Sequence, residues 1–198
     1  MTTLVAGGAA SGKSEYAERL AEKAMAAAAR GYYLATMTAS DPESLSRIQK
    51  HRDRRADKGY ETVEVPDSGA LSEFAARLSK ASDSRDTVVL LDDFGNLVAN
   101  ELFGCESPVA TARLLTQKER EEVVDRLAAP LRLLHETIGT LVLVSNDVFG
   151  DGPVKGDPGT ENYLRVLAEL NRRTAGFADC VCDVAAGLPD YYKGGDRV

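Results

Sequence analysis

The 198-residue sequence predicts an α/β fold, a parallel sheet covered by helices on both faces, and three observations carry that prediction. The run Gly7-Gly8-Ala9-Ala10-Ser11-Gly12-Lys13-Ser14 follows the apolar stretch Thr2-Thr3-Leu4-Val5-Ala6 and precedes a helix-forming segment. Strand-like and helix-like segments then alternate along the chain. Thr87 to Leu91 and Leu141 to Val144 are short continuous apolar runs, the kind found in strands buried on both faces.

Leu4 to Ala6 is the first expected strand and Ser14 to Ala29 a long alanine-rich helix. Tyr32 to Thr36 is the second strand. Polar Ser40-Asp41-Pro42-Glu43 follows, with Ser40 or Asp41 as cap of an amphipathic helix running to about Arg55. Glu61 to Val65 alternates like a strand and stops at Pro66, and Leu71 to Leu78 is helical. After the Thr87 to Leu91 strand come a helix over Leu97 to Phe103, a loop containing Pro108, and a long helix over Gln117 to Glu136 with Pro130 inside it. Beyond the Leu141 to Val144 strand, Gly150 to Gly159 reads as a flexible surface loop rich in Gly, Asp and Pro. A helix over Glu161 to Thr174 and a strand over Cys180 to Val184 complete the core, and the tail after Pro189 is expected to fray. No repeat or long linker divides the chain, so one domain over 1–198 is expected.

A net charge of −7 argues against non-specific attraction to nucleic acid or anionic membranes. No apolar run approaches the roughly 20 residues that span a bilayer, and the N-terminus lacks the apolar core of a signal peptide. A cytoplasmic protein is expected. Cys105, Cys180 and Cys182 read as small core residues in a reducing compartment, since C-x-C without a companion cluster is a poor zinc or disulfide signal.

The chemistry begins at Gly7 to Ser14, which satisfies G-x-x-x-x-G-K-S, the Walker A phosphate loop. Its glycines permit a tight turn whose N–H groups point inward at a phosphate, and the following helix adds the positive end of its dipole. Lys13 reaches the β and γ phosphates of a nucleoside triphosphate in this pattern, and the Ser14 hydroxyl holds Mg²⁺. Asp92, ending Val88-Val89-Leu90-Leu91, is the Walker B candidate, because parallel sheets present ligands at the carboxyl ends of their strands. Asp93 is its rival, and either could instead be a helix N-cap. His51 lies among Lys50, Arg52, Arg54 and Arg55, the densest positive patch in the chain. Such a patch suits phosphates and keeps an imidazole neutral and nucleophilic. A solvated basic helix face is the other reading of that patch. His135, the second histidine, reads as an ordinary residue of its helix.

Segments spread along almost the whole chain support a family resemblance: Leu4 to Ser14, Tyr33-Leu34-Ala35-Thr36, Arg47-Ile48-Gln49-Lys50-His51-Arg52 with Arg55, Thr62-Val63-Glu64, and Leu90-Leu91-Asp92 followed by Val98, Asn100 and Leu102. Val144-Ser145-Asn146-Asp147-Val148, Ala178-Asp179 and Ala186-Gly187-Leu188-Pro189 complete the set. In these segments the chain resembles the bifunctional adenosylcobinamide kinase / adenosylcobinamide-phosphate guanylyltransferases of cobalamin biosynthesis. The resemblance implies phosphorylation of the aminopropanol hydroxyl of adenosylcobinamide by a nucleoside triphosphate, ATP or GTP. It then implies attack of His51 on GTP and transfer of the GMP to the corrinoid phosphate. Lys13 and His51 would be catalytic, and Ser14 and Asp92 would hold Mg²⁺. Nucleotide contacts would come from Gly7, Gly8, Ala9, Ala10, Ser11, Gly12, Lys13, Ser14, Ala35, Thr36, Met37, Arg52, Asp53, Arg54, Arg55, Glu64 and Asp92. The resemblance also implies a RecA-like P-loop sheet, mostly parallel with one antiparallel strand, a corrinoid as partner, and a homotrimer.

Several positions depart from the family pattern. Ala10 stands where Arg is usual, Tyr60 replaces Trp, and one residue is added between His51 and Thr62. After Asn146 the chain reads Asp147-Val148-Phe149-Gly150-Asp151-Gly152-Pro153, and Tyr163-Leu164-Arg165 replaces F-R-D. The departures after Asn146 fall where the resemblance implies that a corrinoid would be met, so a plain small-molecule kinase, or a nucleotide-binding protein lacking one or both activities, stands as the alternative.

Overall fold

A computed structural model of the chain describes residues 1–38, 58–104, 109–148 and 157–195. The helix expected from Asp41 to Arg55, the loop around Pro108 with Cys105, and most of the Gly150 to Gly159 loop lie outside the described residues. The elements are β1 (Thr2–Ala6), α1 (Lys13–Met25), β2 (Arg30–Ala35), β3 (Glu61–Glu64), α2 (Ser68–Ser79), β4 (Thr87–Asp92) and α3 (Phe94–Phe103), continuing with α4 (Val109–Ala112), α5 (Gln117–Thr137), β5 (Thr140–Val144), α6 (Pro158–Phe177), β6 (Cys180–Ala185) and β7 (Leu188–Lys193).

Among the described residues the strands form one seven-stranded sheet in the order β3-β2-β4-β5-β1-β6-β7. All neighbours are parallel except β6 and β7. The α/β P-loop sheet, RecA-like and mostly parallel with one antiparallel strand, is therefore present. One strand, β5, separates the strand that enters the phosphate loop from the strand that ends in Asp92.

Period-two alternation divides the apolar strand residues between two cores. Leu4, Leu34, Val89, Leu91, Leu141 and Leu143 face a cluster shared with α2, α3, α5 and α6. Val5, Tyr33, Val88, Leu90, Val142 and Val144 face the opposite side, where α1 packs through Ala17 and Ala21. Both faces of the central strands are thus covered, which explains why they read as unbroken apolar runs. Small residues on α1 let that helix lie close to the sheet, and this fixes the height of the loop that precedes it.

The helix starts follow capping chemistry. Thr116 and Glu119 form a reciprocal capping box at α5. Asp67, Asp93 and Asp157 each accept a hydrogen bond from the backbone N–H three residues on, opening α2, α3 and α6. The expected loop to Gly159 is shorter than read, because Asp157 caps a helix whose first residue is Pro158, a position where the missing N–H costs nothing.

After Pro189 the chain forms a strand through Lys193 where fraying was expected. Ala186 (φ 50°) and Gly187 (φ 78°) form a two-residue turn with both central residues left-handed, the geometry that matches strand twist in a hairpin. The chain therefore doubles back as β7 along β6. Pro189 is tolerated because β7 is the edge strand. Cys180 and Cys182 are buried in β6, as expected of core residues. His135 shares a hydrogen bond of 2.8 Å with Thr2 Oγ1 and leans on Phe177, a packing role.

A fully buried amide ties the α4–α5 connection to α6. Asn162 accepts from the Leu115 N–H and donates to the carbonyls of Ala110 and Arg113, each at 2.9 Å. Truncating it removes the partner of three backbone groups, two of them on the buried residues Ala110 and Leu115. Asn162→Ala is expected to lower the unfolding free energy by about 3 kcal/mol in urea titrations, and an unchanged midpoint would contradict that role.

Candidate functional site

Residues Gly7 to Ser14 turn between the end of β1 and the first turn of α1. Two positions in this loop are left-handed, Ala10 (φ 54°) and Gly12 (φ 88°), and Gly12 is the N-cap of α1. A Cβ on Gly7 would stand 2.5 Å from Ser11 Oγ and 2.8 Å from the Val184 carbonyl oxygen, so that position admits glycine alone. Ser11 Oγ is buried and, among the described residues, has no hydrogen-bond partner. A tight backbone cradle beside an unsatisfied hydroxyl is the fit an anionic phosphate requires. Lys13 is 8% exposed and donates to the Gly8 carbonyl at 3.1 Å, which lays its ammonium across the same turn.

Neighbouring strands brace the loop. The Asp147 N–H donates to the Gly7 carbonyl at 2.9 Å, and the Gly187 N–H of the β6–β7 turn donates to the Ser11 carbonyl at 2.7 Å. The hairpin missed in the sequence therefore bears directly on the site. Its signal was present in Ala186-Gly187, a residue pair able to turn between two strands.

Asp92 lies at the carboxyl end of β4, where the Ser14 hydroxyl donates to its Oδ1 at 3.3 Å and the Tyr33 hydroxyl to its Oδ2 at 3.0 Å. Burial, aided by the negative charge of Asp93, pushes the Asp92 carboxyl up to about 6, against the opposing pull of the Tyr33 and Ser14 hydrogen bonds. The rival carboxylate serves the fold instead, since Asp93 caps α3 by accepting from the Asn96 N–H at 2.8 Å. Thr36 holds both aspartates. Its hydroxyl meets the carbonyls of Asp92 and Asp93 at 3.1 and 3.0 Å and accepts the Asp93 N–H at 2.9 Å. Asn100 in turn donates to the Thr36 carbonyl at 2.8 Å and to that of Pro66 at 2.9 Å.

Two hard oxygen donors, Ser14 Oγ and an Asp92 oxygen, thus face each other beside the phosphate cradle, a pair suited to a hard divalent cation. Among the described residues no group of three His, Cys, Asp or Glu side chains forms a protein-only cage. A cation here would complete its shell with phosphate oxygens and water, as Mg²⁺ does.

The remaining expected contacts sort by register. Ala35 pairs with both Glu64 and Asp92, so these three stand side by side at the carboxyl ends of β2, β3 and β4. Thr36 and Met37 follow Ala35 along the same edge. His51, Arg52, Asp53, Arg54 and Arg55 lie outside the described residues. The first described residue after them, Lys58, reaches Glu18 Oε2 at 2.5 Å and Glu22 Oε1 at 2.7 Å on α1. Glu18 is 2% exposed, so its pairing with Lys58 compensates a buried charge and fastens that end of the basic segment to the phosphate-loop helix. Sequence reasoning gave Tyr33 and Lys58 no role at the site, although Tyr33 stood in the segment Tyr33-Leu34-Ala35-Thr36 that carried the resemblance.

The raised Asp92 carboxyl has a thermodynamic consequence. Its folded value lies above the ordinary 3.8, so the folded state holds a proton that the unfolded chain has lost between about pH 4 and 6. Stability from this group is complete below that window and disappears as pH rises through it. In metal-free buffer Asp92→Asn is therefore expected to remove that fall and to exceed wild type by roughly 2–3 kcal/mol at pH 8, read from urea unfolding at pH 4.5, 6 and 8. Parallel curves for the two proteins would refute the buried-carboxylate account.

With the geometry established, comparison with known proteins places the chain. Residues 3–191 match the family model described as cobinamide kinase / cobinamide phosphate guanyltransferase. The bifunctional adenosylcobalamin biosynthesis protein CobP of Pseudomonas aeruginosa is 34% identical over 98% of this chain and 98% of its own. The bifunctional adenosylcobalamin biosynthesis protein CobU is 28% identical in Salmonella typhimurium and 30% in Escherichia coli, each over 95% of this chain and 97% of the relative. A phosphate loop, an aspartate at the strand end beside it and this near-complete match agree, and the chain belongs to the cobinamide kinase / cobinamide phosphate guanyltransferase family.

Proposed function

We propose that this chain phosphorylates the hydroxyl of adenosylcobinamide with a nucleoside triphosphate and then transfers GMP from GTP to the resulting adenosylcobinamide phosphate. The observation that carries the reading is the convergence of Lys13, Ser14 and Asp92 on the Gly7 to Ser14 loop in a chain whose family is defined by these two reactions. In phosphoryl transfer little covalent chemistry falls to the protein, so positioning and charge neutralisation dominate. The loop N–H groups and the Lys13 ammonium would orient the β and γ phosphates and offset charge on the transferred group. Ser14 and Asp92 would hold Mg²⁺, which supplies Lewis-acid neutralisation of the phosphate oxygens. Asp92 must ionise to do so, and Tyr33 and Thr36 fix its orientation by the hydrogen bonds described above.

For the second reaction His51 is the proposed nucleophile. Its imidazole nitrogen attacks the α-phosphorus of GTP, pyrophosphate leaves, and the phosphoramidate-linked GMP passes to the phosphate of the corrinoid. Arg52, Arg54 and Arg55 are proposed to balance the charge of the phosphates, with Asp53, Glu64, Ala35, Thr36 and Met37 completing the nucleotide contacts. Lys58, held by Glu18 and Glu22, supports this reading because it ties the His51 segment to the helix that starts at the phosphate loop. The proposal includes one domain over 1–198 serving both reactions, in a homotrimer working in the cytoplasm. Among the described residues no helix is long and apolar enough to cross a membrane.

Incubation with α-labelled GTP and Mg²⁺ is expected to give an acid-labile protein adduct, absent in His51→Ala. A wild-type chain that takes no label would end the transferase half of the proposal. Lys13→Ala is expected to reduce cobinamide phosphorylation by roughly a hundredfold or more, and near-normal turnover in that variant would end the kinase half.

A further inference from the structure

The terminal hairpin reaches past its own sheet pairing to the phosphate loop and the helix behind it. Gly187, in the β6–β7 turn, donates its N–H to the Ser11 carbonyl at 2.7 Å. A Cβ on Gly12 would stand 3.0 Å from the Gly187 Cα, so the turn is seated directly on the N-cap of α1. Four residues on, Tyr191 lies opposite Cys182 in the β6–β7 register, and both belong to the face on which α1 packs. There the hydroxyls of Tyr191 and Tyr16 share a hydrogen bond. Pairing of β7 with β6 needs none of these contacts.

Both aromatic partners are held in place. The Arg19 guanidinium lies over the Tyr16 ring, 5.4 Å from its centroid. Behind Tyr191 the chain turns through left-handed Gly194 (φ 67°), and a Cβ on Gly195 would stand 2.9 Å from Tyr191 Cβ and 3.0 Å from its Cγ. Burial, then the Tyr16 hydrogen bond, raises the Tyr191 phenol above its ordinary value, so it stays a neutral hydrogen-bonding group.

The two anchors straddle the place where the phosphate donors originate. Ser11 is the residue before the N-cap Gly12, and Tyr16 is the first residue whose N–H closes the helix, onto the Gly12 carbonyl at 2.9 Å. The N–H groups of the helix's first turn lie between these anchors, have no intrahelical acceptor and are directed at the cradle. Lys13 and Ser14 stand in the same interval. A small rotation of α1 about its axis would swing all of these groups off a phosphate. One strand, β7, resists that rotation from both ends of the interval.

We propose that Tyr191 is a positioning residue for nucleotide binding: acting through Tyr16, and together with the Gly187 bond to Ser11, it fixes the phosphate-loop donors, so that loading the loop and ordering the terminal hairpin are linked events. The inference rests on the reading of Gly7 to Ser14 as a nucleotide site and needs nothing from the His51 step. It extends the nucleotide machinery to the last strand of the sheet, which touches no phosphate itself.

The test is calorimetric titration with Mg²⁺ and ATP, and with Mg²⁺ and α,β-methylene GTP, whose carbon bridge blocks attack at the α-phosphorus. Tyr191→Phe and Tyr16→Phe keep both rings and remove one hydroxyl each. Either variant is expected to raise the nucleotide dissociation constant by about fivefold, and the double variant by no more than the single ones, because one bond is lost in all three. In steady-state phosphorylation the KM for nucleotide is expected to rise with it while kcat stays near wild type. Asn162→Ala, destabilised away from the loop, is the control and is expected to keep wild-type nucleotide affinity. Linkage is reciprocal, so saturating nucleotide should slow hydrogen exchange of the Gly187 N–H by a comparable factor in wild type, and by less in Tyr191→Phe. Effects of the single variants that add in the double, an equal loss in Asn162→Ala, a fall in kcat at unchanged KM, or Gly187 exchange indifferent to nucleotide would each overturn the proposal. Wild type and tyrosine variants binding nucleotide equally well defeats the hairpin inference alone, whereas a wild-type chain that binds neither nucleotide defeats the phosphate-site reading beneath it.

Discussion

The arrangement of this protein turns on a carboxylate placed where solvation is poor. Asp92 sits at the end of a strand buried on both faces, and its neighbours of like charge, Asp93 and Glu18, do nothing to relieve it. What the chain provides is geometry: a hydroxyl from α1 on one oxygen, a phenol from β2 on the other, and Thr36 gripping the backbone on both sides of the Asp92–Asp93 link. The arrangement costs stability while the carboxylate is ionised and unpaired, and a cation held there, as proposed above, would meet a ligand already oriented and dry. Strand β5 is part of the same logic. By separating β1 from β4 it leaves room at the sheet edge between the phosphate cradle and the carboxylate.

Much of this was legible from residue order. The loop Gly7 to Ser14 announces itself because only glycine fits where Gly7 approaches the Val184 carbonyl and where Gly12 takes a left-handed turn. The central strands were legible because both their faces are covered, so every position is apolar. The edge strand β7 was not, since Leu188 to Lys193 alternates around a proline and is half exposed, and its pairing depends on a turn that places Ala186 in an unfavourable conformation. The division of labour between Asp92 and Asp93 was equally hidden. Both are carboxylates at a strand end, and only the direction of each side chain shows that one faces Ser14 while the other caps α3.

Support around the site is assembled from distant parts of the chain. The phosphate loop is held by Asp147 after β5 and by Gly187 in the terminal hairpin, while Asn100 on α3 fixes the turn that holds the aspartates. Few of these residues carry a motif, because a backbone N–H or a lone amide leaves no signature in composition. They matter for precision, since a phosphoryl group in flight is sensitive to displacement of about 1 Å. The departures from the family pattern are distributed unevenly with respect to this frame. Ala10 takes a left-handed conformation within the phosphate loop (φ 54°), whereas Tyr163 lies in the wall of a cleft between the starts of α3 and α6.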